Sequence, residues 1–268
     1  SDAKSNQGGD PAPQEYAYRI PEQVDDGWPT ASLTDVDMDA QPLMDLVNLL
    51  QNRDDHYVHG LVIVKNGKLV FEEYFSGSDM VVNKDTLTEL VASPESRYET
   101  REQDFDRETP HFQASVTKSV TSLLMGIALD RGLIGGVTDK LSSFFPEYES
   151  KLAGRKSNIT LQHMLAMASG LPWDESTPYY DGRNSIYQLL NAEDPLAYVL
   201  DLNLSSVPGK VFRYNSGTTV LMGEIIRRKA KMSLDTFAET YLFDPLGITE
   251  YAMINLPNAE EVSFASSG

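Results

Sequence analysis

Cysteine is absent from this sequence of 268 residues, which excludes disulfide bonds, thiol catalysis and thiolate metal sites. Histidine is scarce: there are four, without an HExxH or His-x-His pattern, so a zinc site has little support. Basic residues are also few, since 22 lysines and arginines stand against 40 acidic residues, a formal net charge of −18. Such a surface repels phosphate backbones, which argues against nucleic-acid binding and is typical of a highly soluble protein.

Long apolar runs are missing as well. Stretches such as Leu123–Leu129 and Leu61–Val64 are far shorter than the roughly 20 residues of a membrane-spanning helix. We expect a periplasmic or secreted location, and a cytoplasmic location stays open. The sequence does not begin with a signal-like apolar segment, so a signal peptide, if one existed, has been removed. With 41% hydrophobic and 9% aromatic residues, the chain can bury a core in one or two domains.

The amino-terminal part of the chain contains one helix pattern and one hairpin pattern. Residues 1–24 begin with a polar stretch rich in Gly, Pro, Gln and Ser and predict a flexible leader. Apolar residues recur at helical spacing over residues 37–51, which predicts an amphipathic helix. Two β-rich runs flank Asn66-Gly67, the strongest short hairpin signal, and predict a hairpin over residues 60–75.

The rest of the chain is dominated by helix patterns. Residues 78–110 are acidic and aperiodic, which predicts a surface insertion with a short helix near residues 84–91. A helix is predicted over residues 114–130, because apolar side chains share one of its faces and Arg131-Gly132 provides a stop. Three further helices are predicted, one from the cap Thr160 to Gly170, one over residues 218–229 and one over residues 233–242. A short extended piece is predicted over residues 211–214.

The segment Ser115-Val-Thr-Lys118 brings a hydroxyl and an amine together. At the start of a helix, residues i and i+3 lie on the same face, one turn apart. A serine hydroxyl is a weak nucleophile unless a neighbour accepts its proton, and a lysine can do so when its surroundings favour the neutral amine. Backbone N–H groups at the helix start would also favour a developing oxyanion. The spacing alone is weak evidence, since Ser1-Asp-Ala-Lys4 repeats it in a polar tail.

The sequence around Ser115 and several other segments share the pattern of a known family. These segments are Asn66–Tyr74, Ala114–Ala128, Ile159–Leu171 and Asp244–Gly247. Together they resemble the serine β-lactamase and penicillin-binding-protein superfamily, specifically the class C-like branch that includes 6-aminohexanoate-dimer hydrolase and esterases. Ser-x-x-Lys is the first motif of that superfamily. The resemblance covers about residues 25–268, with 78–110 as an insertion.

The resemblance also assigns roles within Pro208–Gly217. The family has Tyr-x-Asn at this position, and the matching residues here are Tyr214, Asn215 and Ser216. Tyr214 would shuttle protons to and from the leaving group, while Asn215 and Ser216 would contact the substrate. Ser216 departs from the family's asparagine, as it does in esterase and amidase members, and this puts the β-lactam contact in doubt. Trp173 is a candidate for lining the cleft, with packing in the core as the alternative.

The resemblance implies an α/β (α+β) fold of the β-lactamase/transpeptidase type, with an antiparallel sheet flanked by helices and a mostly helical domain. Residues 25–114 would form the first part of the sheet domain, 115–230 the helical domain, and 231–268 the return to the sheet. The implied enzyme uses Ser115, Lys118 and Tyr214 to form an acyl-enzyme from a small amide or ester, without metal or cofactor. A β-lactam or a D-Ala-D-Ala peptide is a less favoured substrate, and a homo-oligomer is left open.

The third motif of the superfamily, Lys-Thr-Gly or His-x-Gly, has no counterpart in the sequence. The resemblance implies that this motif, the C-terminal strands of the sheet and a second oxyanion donor would follow Gly268. The alternative to a serine hydrolase is therefore a catalytically impaired binding or sensor domain of the same fold.

Overall fold

The computed structural model describes residues 15–53, 55–92 and 100–267, and the chain forms two compact units. The first extends to Asp79 and includes Arg101–Thr109, and the second contains Met80–Thr100 and Pro110 onward. These boundaries differ from the predicted domains, because residues 231–267 belong to the same unit as the helices of residues 115–230. Each unit has its own hydrophobic core.

The first unit is built around a hairpin. Its strands, β1 (Gly60–Lys65) and β2 (Lys68–Tyr74), pair antiparallel and confirm the predicted hairpin. Asn66 and Gly67 connect them with φ values of 55° and 72°, the positive values that a type I′ turn requires. A short 3₁₀ turn (Thr34–Val36) precedes helix α1 (Gln41–Gln51), which begins four residues later than the apolar spacing predicted.

The described part of the predicted leader is anchored on this hairpin. The Tyr18 hydroxyl donates a hydrogen bond to the carbonyl of Val70 over 3.0 Å, and the Tyr18 ring stacks on Phe71. The Tyr16 hydroxyl bonds the carboxylate of Glu73. The chain is therefore fixed at these two tyrosines, and residues 1–14 of the leader lie outside the described residues.

The predicted acidic insertion contains more regular structure than its composition indicated. Helix α2 (Lys84–Ala92) forms where a short helix was predicted. It is flanked by two short strands, β3 (Gly77–Met80) and β4 (Thr100–Gln103), which pair with each other and were not predicted. Strands of four residues with acidic side chains lack the apolar alternation by which strands are recognised. Residues 93–99 of the insertion lie outside the described residues.

The second unit is mostly helical. Besides α2, its α-helices in the described residues are α3 (Thr117–Asp130), α4 (Leu161–Leu165), α5 (Ser185–Asn191), α6 (Pro195–Asp201), α7 (Ser216–Ala230), α8 (Leu234–Ala238) and α9 (Asp244–Leu246). Three 3₁₀ segments, Leu141–Ser143, Pro146–Leu152 and Gly154–Asn158, lie between α3 and α4. A hairpin of β5 (Asn255–Leu256) and β6 (Ala259–Ser263) follows the helices.

Side-chain caps explain where several of these helices begin. Thr160 caps α4 through a capping box with His163, and Asp194, Asn215 and Ser233 accept backbone N–H groups at the starts of α6, α7 and α8. The prediction that the helix after Thr160 reaches Gly170 is wrong. The chain leaves the helix after Leu165, and Met167 adopts the left-handed region with φ 51°.

Helix α7 lies at the centre of the second unit. Every residue from Ser216 to Ile226 is buried, and α3 packs along it. The predicted single helix over residues 233–242 is instead α8 followed by one π-helical turn, Glu239–Phe243. The predicted extended piece over residues 211–214 does not pair as a strand. The architecture is a mixed α/β fold with small antiparallel sheets.

Candidate active site

Ser115 and Lys118 are brought together by the start of α3, as their spacing predicted. Ser115 lies in a 3₁₀ turn, Ala114–Val116, which leads directly into the helix. The ammonium of Lys118 donates a hydrogen bond to the Ser115 hydroxyl, with 3.0 Å between Nζ and Oγ. Ser115 is exposed while Lys118 is half-buried, so the hydroxyl is accessible to a substrate and the amine is shielded behind it.

The residue before Ser115 has an unusual backbone conformation. Ala114 has a φ of 43°, in the left-handed region that residues with a Cβ rarely adopt. Such a conformation costs roughly 1–3 kcal/mol and persists only where the surroundings enforce it. Backbone strain of this kind concentrates at functional sites, and here it sets the direction in which the chain enters the turn that carries Ser115.

Two further groups surround the head of Lys118. Its Nζ donates a second hydrogen bond to the backbone carbonyl of Ser266, over 2.8 Å. It also lies 4.7 Å from the centre of the Tyr214 ring, within the range of a cation–π interaction. The amine is therefore fixed between a hydroxyl, a carbonyl and an aromatic face.

Tyr214 is held in place by the residues on either side of it. The N–H of Arg213 donates to the carbonyl of Met167 over 2.6 Å. The side chain of Asn215 accepts from the N–H of Thr218 over 2.9 Å and so caps α7. Tyr214 projects between these two anchors and remains 40% exposed.

An open cleft of about 430 Å³ extends from Ser115 and Tyr214. Its lining residues are Ser115, Trp173, Asp174, Glu175, Ser176, Tyr179, Arg213 and Tyr214, all of them in the second unit. The indole N–H of Trp173 donates to the carboxylate of Glu175. The hydroxyl and the backbone N–H of Ser176 hold the pKa of Asp174 below its usual value, so this wall of the cleft carries negative charge.

Of the remaining predicted site residues, Trp173 lies at the cleft, whereas Asn215 and Ser216 are buried away from it. Trp173 lines the cleft with one edge although it is 96% buried, so it serves both the cleft and the core. Asn215 and Ser216 are 1% and 0% exposed, and both lie at the buried start of α7. Their predicted contact with a substrate has no support in this geometry, because the oxygen of Asn215 is used in capping and the hydroxyl of Ser216 is enclosed.

Sequence reasoning missed the Ser266 carbonyl and the cleft residues Glu175 and Arg213. A backbone carbonyl has no residue-type signature, so no pattern could have identified Ser266. Glu175 and Arg213 each adjoin a predicted site segment, and their charges close to Trp173 and Tyr214 are the signal that could have found them.

Comparison with known proteins agrees with these motifs. The sequence model of the Beta-lactamase family matches residues 46–266. Protein flp of Staphylococcus aureus (strain COL) is 28% identical over 189 residues, which cover 70% of this chain and 33% of that protein. The chain thus spans about a third of the length of the curated relatives it matches.

Solved structures share the fold at lower identity. A Bacillus anthracis protein provisionally identified as a 6-aminohexanoate-dimer hydrolase matches with a TM-score of 0.56 at 20% identity. The match covers 83% of this chain and 52% of the Bacillus anthracis chain. EstCE1, a hydrolase with promiscuous acyltransferase activity, has a TM-score of 0.53 at 20% identity, covering 74% and 49%. Within the described ranges, no helix is both long and apolar enough to cross a bilayer. The family match confirms the resemblance that the motifs predicted: the chain belongs to the beta-lactamase family.

Proposed function

We propose that this protein is a serine hydrolase that cleaves a small amide or ester through an acyl-enzyme on Ser115. The observation that carries the proposal is the 3.0 Å contact between Lys118 Nζ and Ser115 Oγ at the start of α3, beside the Tyr214 ring. A nucleophile, a base within hydrogen-bond reach and a third group that orients the base are the features of an activated serine. The open cleft gives a substrate carbonyl access to the hydroxyl.

The proposed acylation requires Lys118 in its neutral form. Ser115 Oγ attacks the carbonyl carbon, and its proton passes to Lys118 Nζ as the carbon–oxygen bond forms. The carbonyl oxygen becomes an oxyanion next to the amino end of α3, where the helix dipole favours negative charge. When the tetrahedral intermediate collapses, the bond to the leaving group breaks, and the departing nitrogen or oxygen takes a proton by way of Tyr214.

Deacylation reverses these roles. A water molecule gives its proton to the same Lys118–Tyr214 pair as its oxygen attacks the ester carbon. The Ser115 oxygen then leaves with that proton, which restores the free enzyme. Each turnover consumes one water molecule, and no metal or organic cofactor takes part in the proposed steps.

An active-site label tests the proposal directly. The protein is incubated with a fluorophosphonate and the adduct is mapped by mass spectrometry, while hydrolysis of a nitrophenyl acyl ester gives the turnover. We expect one adduct on Ser115, and no adduct or turnover in Ser115→Ala. Ser119→Ala is the matched control, because Ser119 is an exposed serine one turn further along the same helix. An adduct elsewhere, or full turnover in Ser115→Ala, would overturn the proposal.

The roles of the partners are tested by two further variants. Lys118→Ala removes the base and Tyr214→Phe removes only a hydroxyl, and we expect each to lower the labelling rate by about 10²- to 10⁴-fold, the usual contribution of a positioned acid or base. A variant that labels at the wild-type rate would remove its residue from the mechanism.

A binding or sensor domain of the same fold is the second candidate. This candidate predicts a stable adduct on Ser115 without release of further product. Time-resolved intact-mass spectrometry with an acyl ester separates the two, because a hydrolase loses the acyl group and a sensor retains it.

A further inference from the structure

The carbonyl that holds Lys118 belongs to a fully buried piece of chain. Ser266 lies three residues after the end of β6, and Ala265 and Ser266 are both 0% exposed. A backbone carbonyl fixed in such surroundings is shielded from water, so its hydrogen bond to the Lys118 ammonium meets little competition. The position of this carbonyl therefore decides where the amine of Lys118 can lie.

Thr121 binds the neighbouring carbonyl. It follows Lys118 by one turn on α3, is 0% exposed, and donates its hydroxyl hydrogen bond to the carbonyl of Ala265 over 2.6 Å. Two consecutive carbonyls, those of Ala265 and Ser266, are thus bound by two consecutive turns of the helix that carries Ser115. The bond from Thr121 fixes the segment whether or not Lys118 is charged.

Helix α7 closes the other side of the segment. A Cβ built on Gly223 would lie 2.7 Å from the Cβ of Ala265, closer than real Cβ atoms approach. The lack of a side chain at Gly223 therefore lets α7 pack directly against Ala265. With Thr121 on one side and Gly223 on the other, the Ala265–Ser266 segment has little freedom to shift.

We propose that Thr121 is a positioning residue for the base. It anchors the Ala265–Ser266 segment so that the Ser266 carbonyl holds the Lys118 amine within reach of Ser115. This inference rests on the proposed hydrolase function. It goes beyond that function because Thr121 touches neither the nucleophile nor the substrate cleft and acts through the backbone of a distant part of the chain.

The test compares two substitutions at Thr121 with a matched control. Thr121→Val has nearly the same shape but removes the hydroxyl, and Thr121→Ser retains it. Thr86→Val is the control, since Thr86 is also buried and donates its hydroxyl to a backbone carbonyl, that of Val81 at 3.0 Å, outside the proposed site. The measurement is the second-order rate of fluorophosphonate labelling at Ser115, in samples shown to be folded by circular dichroism.

We expect Thr121→Val to label about 10- to 100-fold more slowly than the wild type, since a displacement of about 1 Å in a reacting group can cost 10²-fold. Thr121→Ser should restore most of the rate, and Thr86→Val should label like the wild type. If Thr121→Val and Thr86→Val label at the same rate, the positioning role is overturned. If the wild type is not labelled at Ser115 at all, the hydrolase proposal fails instead, so the two failures are distinguishable.

Recovery of the labelling rate in Thr121→Ser is the readout that loss of stability alone would not give, because this variant restores the hydroxyl that binds the Ala265 carbonyl. If Thr121→Ser labels as slowly as Thr121→Val, the hydroxyl does not position the base.

Discussion

Two glycines inside helices give opposite predictions for the same substitution. Gly126 lies on an exposed part of α3, and a Cβ added there meets nothing within 4 Å. Gly217 lies in the first turn of α7, and a Cβ added there would be 2.5 Å from the ring of Trp173 and 2.9 Å from Val199. Gly126→Ala should therefore stabilise the protein, whereas Gly217→Ala should destabilise it and displace Trp173.

The magnitudes follow from helix propensity and packing. Replacing a glycine by alanine within a helix contributes about 0.5–1 kcal/mol, which is the whole effect at Gly126 because no contact changes. At Gly217 the same gain is opposed by overpacking, which costs about 1–3 kcal/mol where neighbours cannot move freely. The ring of Trp173 is 96% buried, so we expect a net loss of about 1–2 kcal/mol at Gly217.

Urea unfolding followed by circular dichroism measures both changes in the free energy of unfolding. Gly126→Ala should also raise the melting temperature by roughly 1–4 °C, the shift expected for 0.5–1 kcal/mol in a domain of about 200 residues. Because the Cβ added in Gly217→Ala would displace the ring of Trp173, the tryptophan fluorescence spectrum should change in this variant. The spectrum should stay constant in Gly126→Ala, where the added Cβ has no neighbour. Equal stabilisation by Gly217→Ala and Gly126→Ala would show that a Cβ at Gly217 meets no resistance from Trp173 and Val199.

Two further predictions concern buried charge and alkaline stability. Glu224 has a side chain that is 0% exposed and binds Arg227 and Arg228, so Glu224→Ala should lower the free energy of unfolding by about 2–4 kcal/mol in urea titrations. Burial, followed by a hydrogen bond to Asp194, raises the pKa of Tyr148 to about 12. The stabilising contribution of the neutral Tyr148 phenol is therefore complete below pH 10 and is lost as the pH rises through 12. Tyr148→Phe has no phenol to ionise, so it should lose less stability than the wild type over this range. Urea denaturation of both proteins at pH 8 and pH 11 would measure the difference.

Local signals in the sequence predicted the elements whose cause is local. The hairpin depends on the positive φ values of Asn66 and Gly67, and asparagine and glycine are the residues that adopt them at little cost. The helix predicted over residues 114–130 forms as a 3₁₀ turn, Ala114–Val116, followed by α3, and Gly132 lies just after its end. Neither feature requires knowledge of distant contacts, and the hairpin and the end of the helix formed where they were predicted. The buried face of the helix was predicted less well, because Val116 and Leu123 are exposed.

Elements that depend on tertiary packing were predicted less well. The π-helical turn Glu239–Phe243 interrupts an apolar pattern that predicts one continuous helix. Pro245 lies in the first turn of α9, where the backbone N–H that proline lacks has no partner within the helix. The hairpin of β5 and β6 is short, and its second strand is buried against α7 only in the folded chain. No local pattern distinguishes such strands from loops.

The candidate site divides in the same way. Ser115 and Lys118 are one turn apart, so their contact follows from helix geometry alone. Tyr214 lies far away in sequence, and its approach to Lys118 was expected only from the family resemblance. The 4.7 Å distance from the Lys118 amine to its ring is a product of the packing of α3 on α7.

Asn215 and Ser216 illustrate the limit of transferring a motif residue by residue. The motif gives the order of the side chains but not their directions, and the directions here are set by the helix that follows. Asn215 has the extended backbone of an N-cap, so its side chain turns back to the N–H of Thr218 and is used inside the protein. Ser216 then begins α7 on a buried face. Asparagine three residues before Thr218 is itself a helix-start signal, and placing α7 from that cap would have left Tyr214 as the residue free to face Lys118.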